Sequence, residues 1–186
     1  MRTFRLILFL LLASYWSAFG KAYFCTESEL IKRAVVIAII DIAEPEEAAA
    51  DVDSFAGPDS VRVQGRTWTY SQQAKAELKT LIKGEIPKEF TIHGKESFIC
   101  ASCMLAKGRY LAFLTQDEKL WVGANWQLSL RQIRDGKVEW YVSEEQRHPM
   151  TFQNLEKVLE RVRAELATAE VEEKAQIESA GEPLPK

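Results

Sequence analysis

The sequence predicts a mainly β domain, an antiparallel barrel or sandwich carrying one C-terminal helix. Three observations predict it. Runs that are either continuously apolar and β-branched or strictly alternating follow one another at short spacings between Ala34 and Val142. No crossover helix separates them, and such spacing belongs to antiparallel β architectures. After Thr151 the apolar period changes to that of a helix.

Taken in order, Ser28 to Arg33 (SELIKR) reads as a short helical turn. Ala34 to Ile42 (AVVIAIIDI) is apolar throughout and rich in Val and Ile, as suits a strand buried on both faces. Glu44 to Ser60 is acidic, small and broken by two prolines, and reads as a long loop. Val61 to Val63 forms a short strand before Gly65. From Trp68 to Ile82, Tyr70, Ala74, Ala76 and Leu78 alternate with Gln73, Lys75, Glu77 and Lys79, the pattern of a half-buried strand. Ala, Lys and Glu favour helix intrinsically; the alternation is set against that preference. FTIHG places Phe90 and Ile92 on one face of the next strand. GRYLAFLTQ and LWVGANWQLSL follow around the turn Asp117-Glu118-Lys119, the second interrupted at Gly123-Ala124-Asn125. Asp135-Gly136 is a hairpin signal leading into VEWYV. Phe152, Leu155, Val158, Leu159, Val162 and Leu166 then recur at helical intervals behind a polar start at Thr151 and Asn154, and the helix continues into AEVEEKAQIES. Gly181, Pro183 and Pro185 close the chain with a disordered tail. No internal repeat is present.

The first twenty residues stand apart. A basic start, MRTFR, precedes the apolar LILFLLLASYW, and Ala18 and Gly20 supply small residues at the −3 and −1 positions of a cleavage site. The run is shorter than the roughly 20 apolar residues a membrane span needs. The expectation is export, to the periplasm or beyond, with residues 1–20 a signal peptide and no stable span after cleavage. Residues 21–169 form the domain with its helix, and 170–186 a charged helical extension and tail. Subtracting Arg2 and Arg5 from the 24 basic residues leaves 22 against 27 acidic, a net charge of −5. A net acidic protein gains nothing from counterion release on nucleic acid, which is therefore not an expected partner.

Export changes the meaning of the three cysteines, Cys25, Cys100 and Cys103, because thiols outside the cytosol oxidise. An odd count leaves at least one thiol. Cys100-Ala-Ser-Cys103 leads towards a strand rather than a helix N-terminus, a poor setting for a redox pair. Zinc takes four ligands as a rule, and His93 and His148 add no second close pair, so no metal and no cofactor is expected. The staple is expected to join Cys25 to Cys100, with Cys103 as the alternative partner. Closing a loop of some 75 residues stabilises by roughly 4 kcal/mol on the chain-entropy account. Trp68, Tyr70, Trp121 and Trp126 form a candidate binding face, set against the plainer reading that such aromatics fill the core. No Gly-x-Ser-x-Gly, phosphate loop or His-Glu-x-x-His occurs, which points away from an enzyme.

Cys25, Leu-Ile-Lys-Gly at 81–84, the Cys100 loop, Gly-Arg-Tyr-Leu-Ala-Phe-Leu at 108–114 and the final helix occur in an order that resembles netrin-module and tissue-inhibitor-of-metalloproteinase-like proteins, especially their exported bacterial members. The resemblance spans roughly Cys25 to Leu166. It implies an OB-like five-stranded antiparallel barrel with a C-terminal helix. It also offers inhibition of a metalloprotease, in which an N-terminal cysteine presents its amine and carbonyl to zinc. Cleavage after Gly20 would leave four residues ahead of Cys25, whose nitrogen is then an amide and a poor zinc ligand. The reading that results is a non-catalytic binding or interaction protein with a protein or glycan partner. Metalloprotease inhibition is the alternative, and a small exported enzyme the third reading.

Intact mass spectrometry of the exported protein is expected to give a chain starting at Lys21; a start at Cys25 would restore the inhibitor mechanism.

Overall fold

A computed structural model describes residues 23–48, 53–54, 68–96, 101–143 and 151–180. The expected signal segment, the strand at Val61–Val63, Cys100, His148 and the tail from Gly181 lie outside the described residues. The elements are α1 (Glu27–Arg33), β1 (Val36–Ile42), β2 (Glu46–Glu47), β3 (Asp53–Ser54), β4 (Trp68–Lys83), β5 (Glu89–Glu96), β6 (Gly108–Asp117), β7 (Leu120–Gly123), a 3₁₀ turn (Trp126–Leu128), β8 (Leu130–Arg134), β9 (Lys137–Trp140), β10 (Thr151–Asn154) and α2 (Leu155–Ala180). The chain is mainly β with a C-terminal helix. Among the described residues no helix is long and apolar enough to cross a membrane.

Five strands close into a ring in the order β1-β4-β5-β7-β6 and back to β1. The ring is not antiparallel throughout, as the sequence had suggested: β5 and β7 run parallel, joined by the pairs Ile92↔Trp121 and His93↔Val122. The reason is parity. Directions that alternate around a closed ring return to their starting sense only if the number of strands is even, so five strands need one parallel seam. That seam is short. The β1–β6 and β4–β5 pairings each run over seven residue pairs.

β4 explains how the ring turns its corner. Its first half pairs with β5 (Tyr70↔Glu96 to Glu77↔Glu89) and its second half with β1 (Ala76↔Ile42 to Lys83↔Ile37). The Ala/Lys/Glu-rich segment is a strand because both its edges are taken by neighbours, which outweighs intrinsic preference. Its alternation holds, with Tyr70, Ala74 and Ala76 buried and Lys75 and Lys79 exposed. Part of the expected acidic loop pairs with the same strand, since Glu46–Glu47 and Asp53–Ser54 each form two-residue strands against β4. The Asp135-Gly136 turn takes φ of 49° and 69°, the two positive values of the tight hairpin that this dipeptide favours.

Two apolar layers result. One face of the ring strands gathers Val36, Ala38, Ile40, Ala74, Ala76, Ile92, Ala112 and Leu114 around Cys103 and Leu105 of the cysteine loop. The alanines suit the narrow interior of a small ring. The opposite face of β1 and β6 presents Ile37, Leu111 and Phe113 to Leu30 and Ile31 of α1, Val138 and Trp140 of β9, and Val158, Leu159 and Val162 of α2. A capping box between Thr26 and Glu29 starts α1. A 2.5 Å ion pair from Glu27 to Arg161 ties α1 to α2.

The C-terminal helix begins at Leu155 rather than at Thr151. Thr151–Asn154 pairs antiparallel with Lys137–Trp140, and the Asn154 carboxamide then accepts from the Lys157 amide at 3.2 Å, capping the first turn. Phe152 therefore sits exposed on a strand and outside the helical stripe. The helix runs unbroken through residues 169 and 170 to Ala180.

Leu159 is 3% exposed against this layer. Leu159→Asp is expected to cost about 3–5 kcal/mol by burying a charge in an apolar contact, seen as a Tm roughly 10 °C lower in thermal unfolding; an unchanged Tm would mean that α2 is not docked there.

Candidate functional site

Three places gather polar groups of the fold: a clamp on the N-terminal segment, the seat of the cysteine loop, and a cleft at the β1–β4–β5 corner.

The clamp surrounds Cys25, which is fully buried. The Asn125 carboxamide accepts from the Cys25 amide at 3.0 Å and donates to the Tyr23 carbonyl at 2.7 Å. The Tyr141 hydroxyl donates to the Cys25 carbonyl at 3.1 Å and accepts from the Arg131 guanidinium at 3.1 Å. Burial pushes the Tyr141 hydroxyl up to about 12, with Arg131 pulling the other way. Asn125 is itself fixed, because its amide donates to Ser129 Oγ at 2.7 Å. The GAN interruption in LWVGANWQLSL is thus where the sheet lets a side chain grip the entering chain. Hydrogen bonds tie the N-terminal segment to the fold at Cys25. Both backbone polar groups of Cys25 are engaged inside the fold, so neither faces an external metal.

The cysteine loop lies across the ring. The Cys103 carbonyl accepts from the Lys95 amide at 2.8 Å and its amide donates to Glu96 at 2.5 Å, while the Leu105 amide donates to Gln72 at 3.2 Å. Gly94 permits this approach: a Cβ there would stand 2.3 Å from the Cys103 carbonyl oxygen. Cys103 is buried, and it is not joined to Cys25, so the alternative staple does not form. The preferred partner, Cys100, lies outside the described residues. Burial, reinforced by Glu96, pushes the Cys103 thiol well up, the reverse of what a reactive cysteine needs. Among the described residues no group of three or more His, Cys, Asp or Glu side chains could hold a metal.

Of the four aromatics, the three whose side chains are described do not make an open platform. Tyr70 and Trp126 are core residues, each 1% exposed, and pack with Ala101 and Val122. The Tyr70 hydroxyl donates to the buried Asp117 at 2.7 Å, and burial with that carboxylate raises its pKa. Trp121 is half-buried and packs edge-on against Phe90 at 6.3 Å between ring centroids. The Trp68 side chain lies outside the described residues. An amphipathic indole or phenol can complete a core as readily as a surface, and here burial took two of the four.

What is open is a cleft of about 570 Å³ where β1, β4 and β5 run side by side, lined by Asp41, Ala43, Lys75, Glu77, Glu89, Phe90 and Thr91 among others. Register sets Asp41, Glu77 and Glu89 in one cross-strand row. Like charges directly opposite are unfavourable. Arg109 offsets the first with a two-pronged contact to Asp41 at 2.7 and 2.9 Å, which holds that carboxyl below its usual range. Lys79 reaches Glu77 at 2.7 Å and Asp41 at 3.5 Å. Asn125, Tyr141, Arg131 and the cleft were not singled out in the sequence. The DI and GRY segments carried half of the Asp41–Arg109 signal, but only their pairing reveals it.

Compared with known proteins, the chain matches no family model, no curated sequence and no solved structure.

Asn125→Asp is expected to weaken the fold by about 3 kcal/mol at neutral pH, since its second carboxylate oxygen would face the Tyr23 carbonyl where an N–H now donates. Burial raises the introduced group's folded pKa above its unfolded value, so the deficit is smallest below about pH 4, where a neutral acid can donate, and grows as pH rises. Denaturant unfolding of wild type and variant at pH 4 and pH 7 checks this; a deficit independent of pH would mean that the carboxamide does not donate to the strap.

Proposed function

We propose that the chain is an exported, non-catalytic binding protein built on an OB-like barrel, with a protein or glycan as partner. The fold part of the reading is supported by five strands closing with a Greek-key order and by the helix packed beside them. The observation that carries the functional part is the open cleft on β4 and β5, the second and third strands of the ring. OB folds hold extended ligands over those strands. Three carboxylates against one lysine line it, which disfavours a polyanion and leaves neutral, polar or basic partners. Phe90 supplies an apolar surface, and exposed Thr91 and Glu89 supply polar groups at its rim. Inhibition of a metalloprotease through Cys25 is the weaker reading, because Asn125 and Tyr141 already occupy that residue's amide and carbonyl.

Glu89 and Thr91 are exposed, so Glu89→Lys/Thr91→Trp changes the cleft's charge and fills it without entering the core. Mature wild-type protein is expected to retain ligands from an envelope extract or a glycan array, and the double variant to lose at least tenfold in affinity. Equal retention by the variant would remove the cleft from the reading; turnover of a small substrate by the purified protein would replace binding by catalysis.

A further inference from the structure

We propose that the β5–β7 seam is an acid-sensitive hinge of the ring, opened by protonation of His93. This goes beyond the binding reading and does not depend on the cleft.

The seam is the one parallel closure and rests on two residue pairs, one of which is His93↔Val122. His93 also faces it by its side chain: one ring nitrogen feels the Trp121 carbonyl, which favours the protonated form. The other, Nδ1, is buried and has no hydrogen-bond partner among the described residues, in a residue that is 7% exposed. Neutral imidazole leaves an acceptor unused there. Protonated imidazole would place an unmet donor and a positive charge in the same space. Among the described residues no carboxylate partner of His93 compensates. β4 presents Gln73 opposite His93, and Gln73 donates to Glu46 of β2. On β5 itself the nearest charge is the exposed Lys95, of like sign, and β7 contributes only Trp121 and Val122 to the seam.

The sign follows. Burial pulls the His93 pKa below the ordinary 6.5, with the Trp121 carbonyl opposing. A folded pKa below the open-state value means that the open seam takes up the proton first. Closure is fully stable above about pH 6.5 and weakens as pH falls. The antiparallel pairings elsewhere in the ring contain no histidine other than His93. Opening would free the facing edges of β5 and β7, which then offer unpaired backbone groups to another strand.

The test is residue-resolved amide exchange of the mature protein at pH 7.5 and pH 5, expressed as protection so that the intrinsic pH dependence of exchange drops out. Expected is an at least tenfold loss of protection at residues 92–93 and 121–123 on acidification, with residues 37–40 of β1 unchanged. His93→Gln keeps a donor for the Trp121 carbonyl but cannot gain charge, and is expected to abolish the loss; His148→Gln is expected to retain it. The same loss in His93→Gln, a uniform loss across all strands, or no loss in wild type overturns the proposal. Should His93→Gln not fold, wild type decides alone: the His93 ring resonances and the seam protection must change over the same pH range, and separate ranges overturn it.

Discussion

Closing an odd number of strands is the constraint on which the rest of this structure depends. Five strands bring the ring to a size that alanines can fill, and they oblige one junction to be parallel. The antiparallel pairings of the ring run over four to seven residue pairs. The parallel one, between β5 and β7, spans two residue pairs, and β7 has only four residues to offer. The cysteine loop, the N-terminal strap and the 3₁₀ turn at Trp126–Leu128 all crowd the side of the ring where backbone pairing is thinnest. The Lys95 amide turns to Cys103, and the Ala124 amide turns back to Phe113.

Polar groups do at this end what strand pairing does elsewhere. Arg131 is 3% exposed, with its guanidinium 5.1 Å over the Tyr141 ring and its Nε without a hydrogen-bond partner among the described residues. A buried guanidinium is costly to desolvate. Here a phenol ring and its hydroxyl, rather than a carboxylate, receive it, and burial lowers its pKa accordingly. The return is positional: Arg131 sets the Tyr141 hydroxyl, and that hydroxyl holds the Cys25 carbonyl. Asn125 holds the same residue from its amide side. The strap enters α1 already oriented, and the Glu27–Arg161 pair then joins α1 to α2.

The cysteine, tyrosine and carboxylate groups that might have suggested chemistry are spent on this architecture. Cys103 is anchored through its backbone while its thiol is held protonated, and Tyr70 is held by Asp117. Exposed polar groups line a cleft on the β4–β5 side, where a row of carboxylates is neutralised from one end by Arg109 and Lys79.

The sequence by itself determined the five ring strands, the hairpin at Asp135-Gly136 and the helical stripe of α2, because each is a local pattern: an apolar run or a period of two, a pair of positive φ angles, a period of 3.6. It also determined that Tyr70, Ala74 and Ala76 share a face. Where local patterns overlapped, tertiary pairing decided. Thr151–Asn154 could extend a helix or pair with a strand, and the open edge of β9 made it a strand. The candidate site was much less legible. Trp121 and Trp126 lie five residues apart in similar company, yet one ends half-exposed and the other in the core, because burial depends on what the rest of the chain lays over a residue. Asn125 looked like a turn residue and became a clamp, since its partners are about a hundred positions away. The Asp41-Glu77-Glu89 row exists only through register. Hydrophobic period and turn geometry are carried by neighbours in sequence, whereas charge pairing, desolvation and the closure of a ring are set by residues that meet only in space.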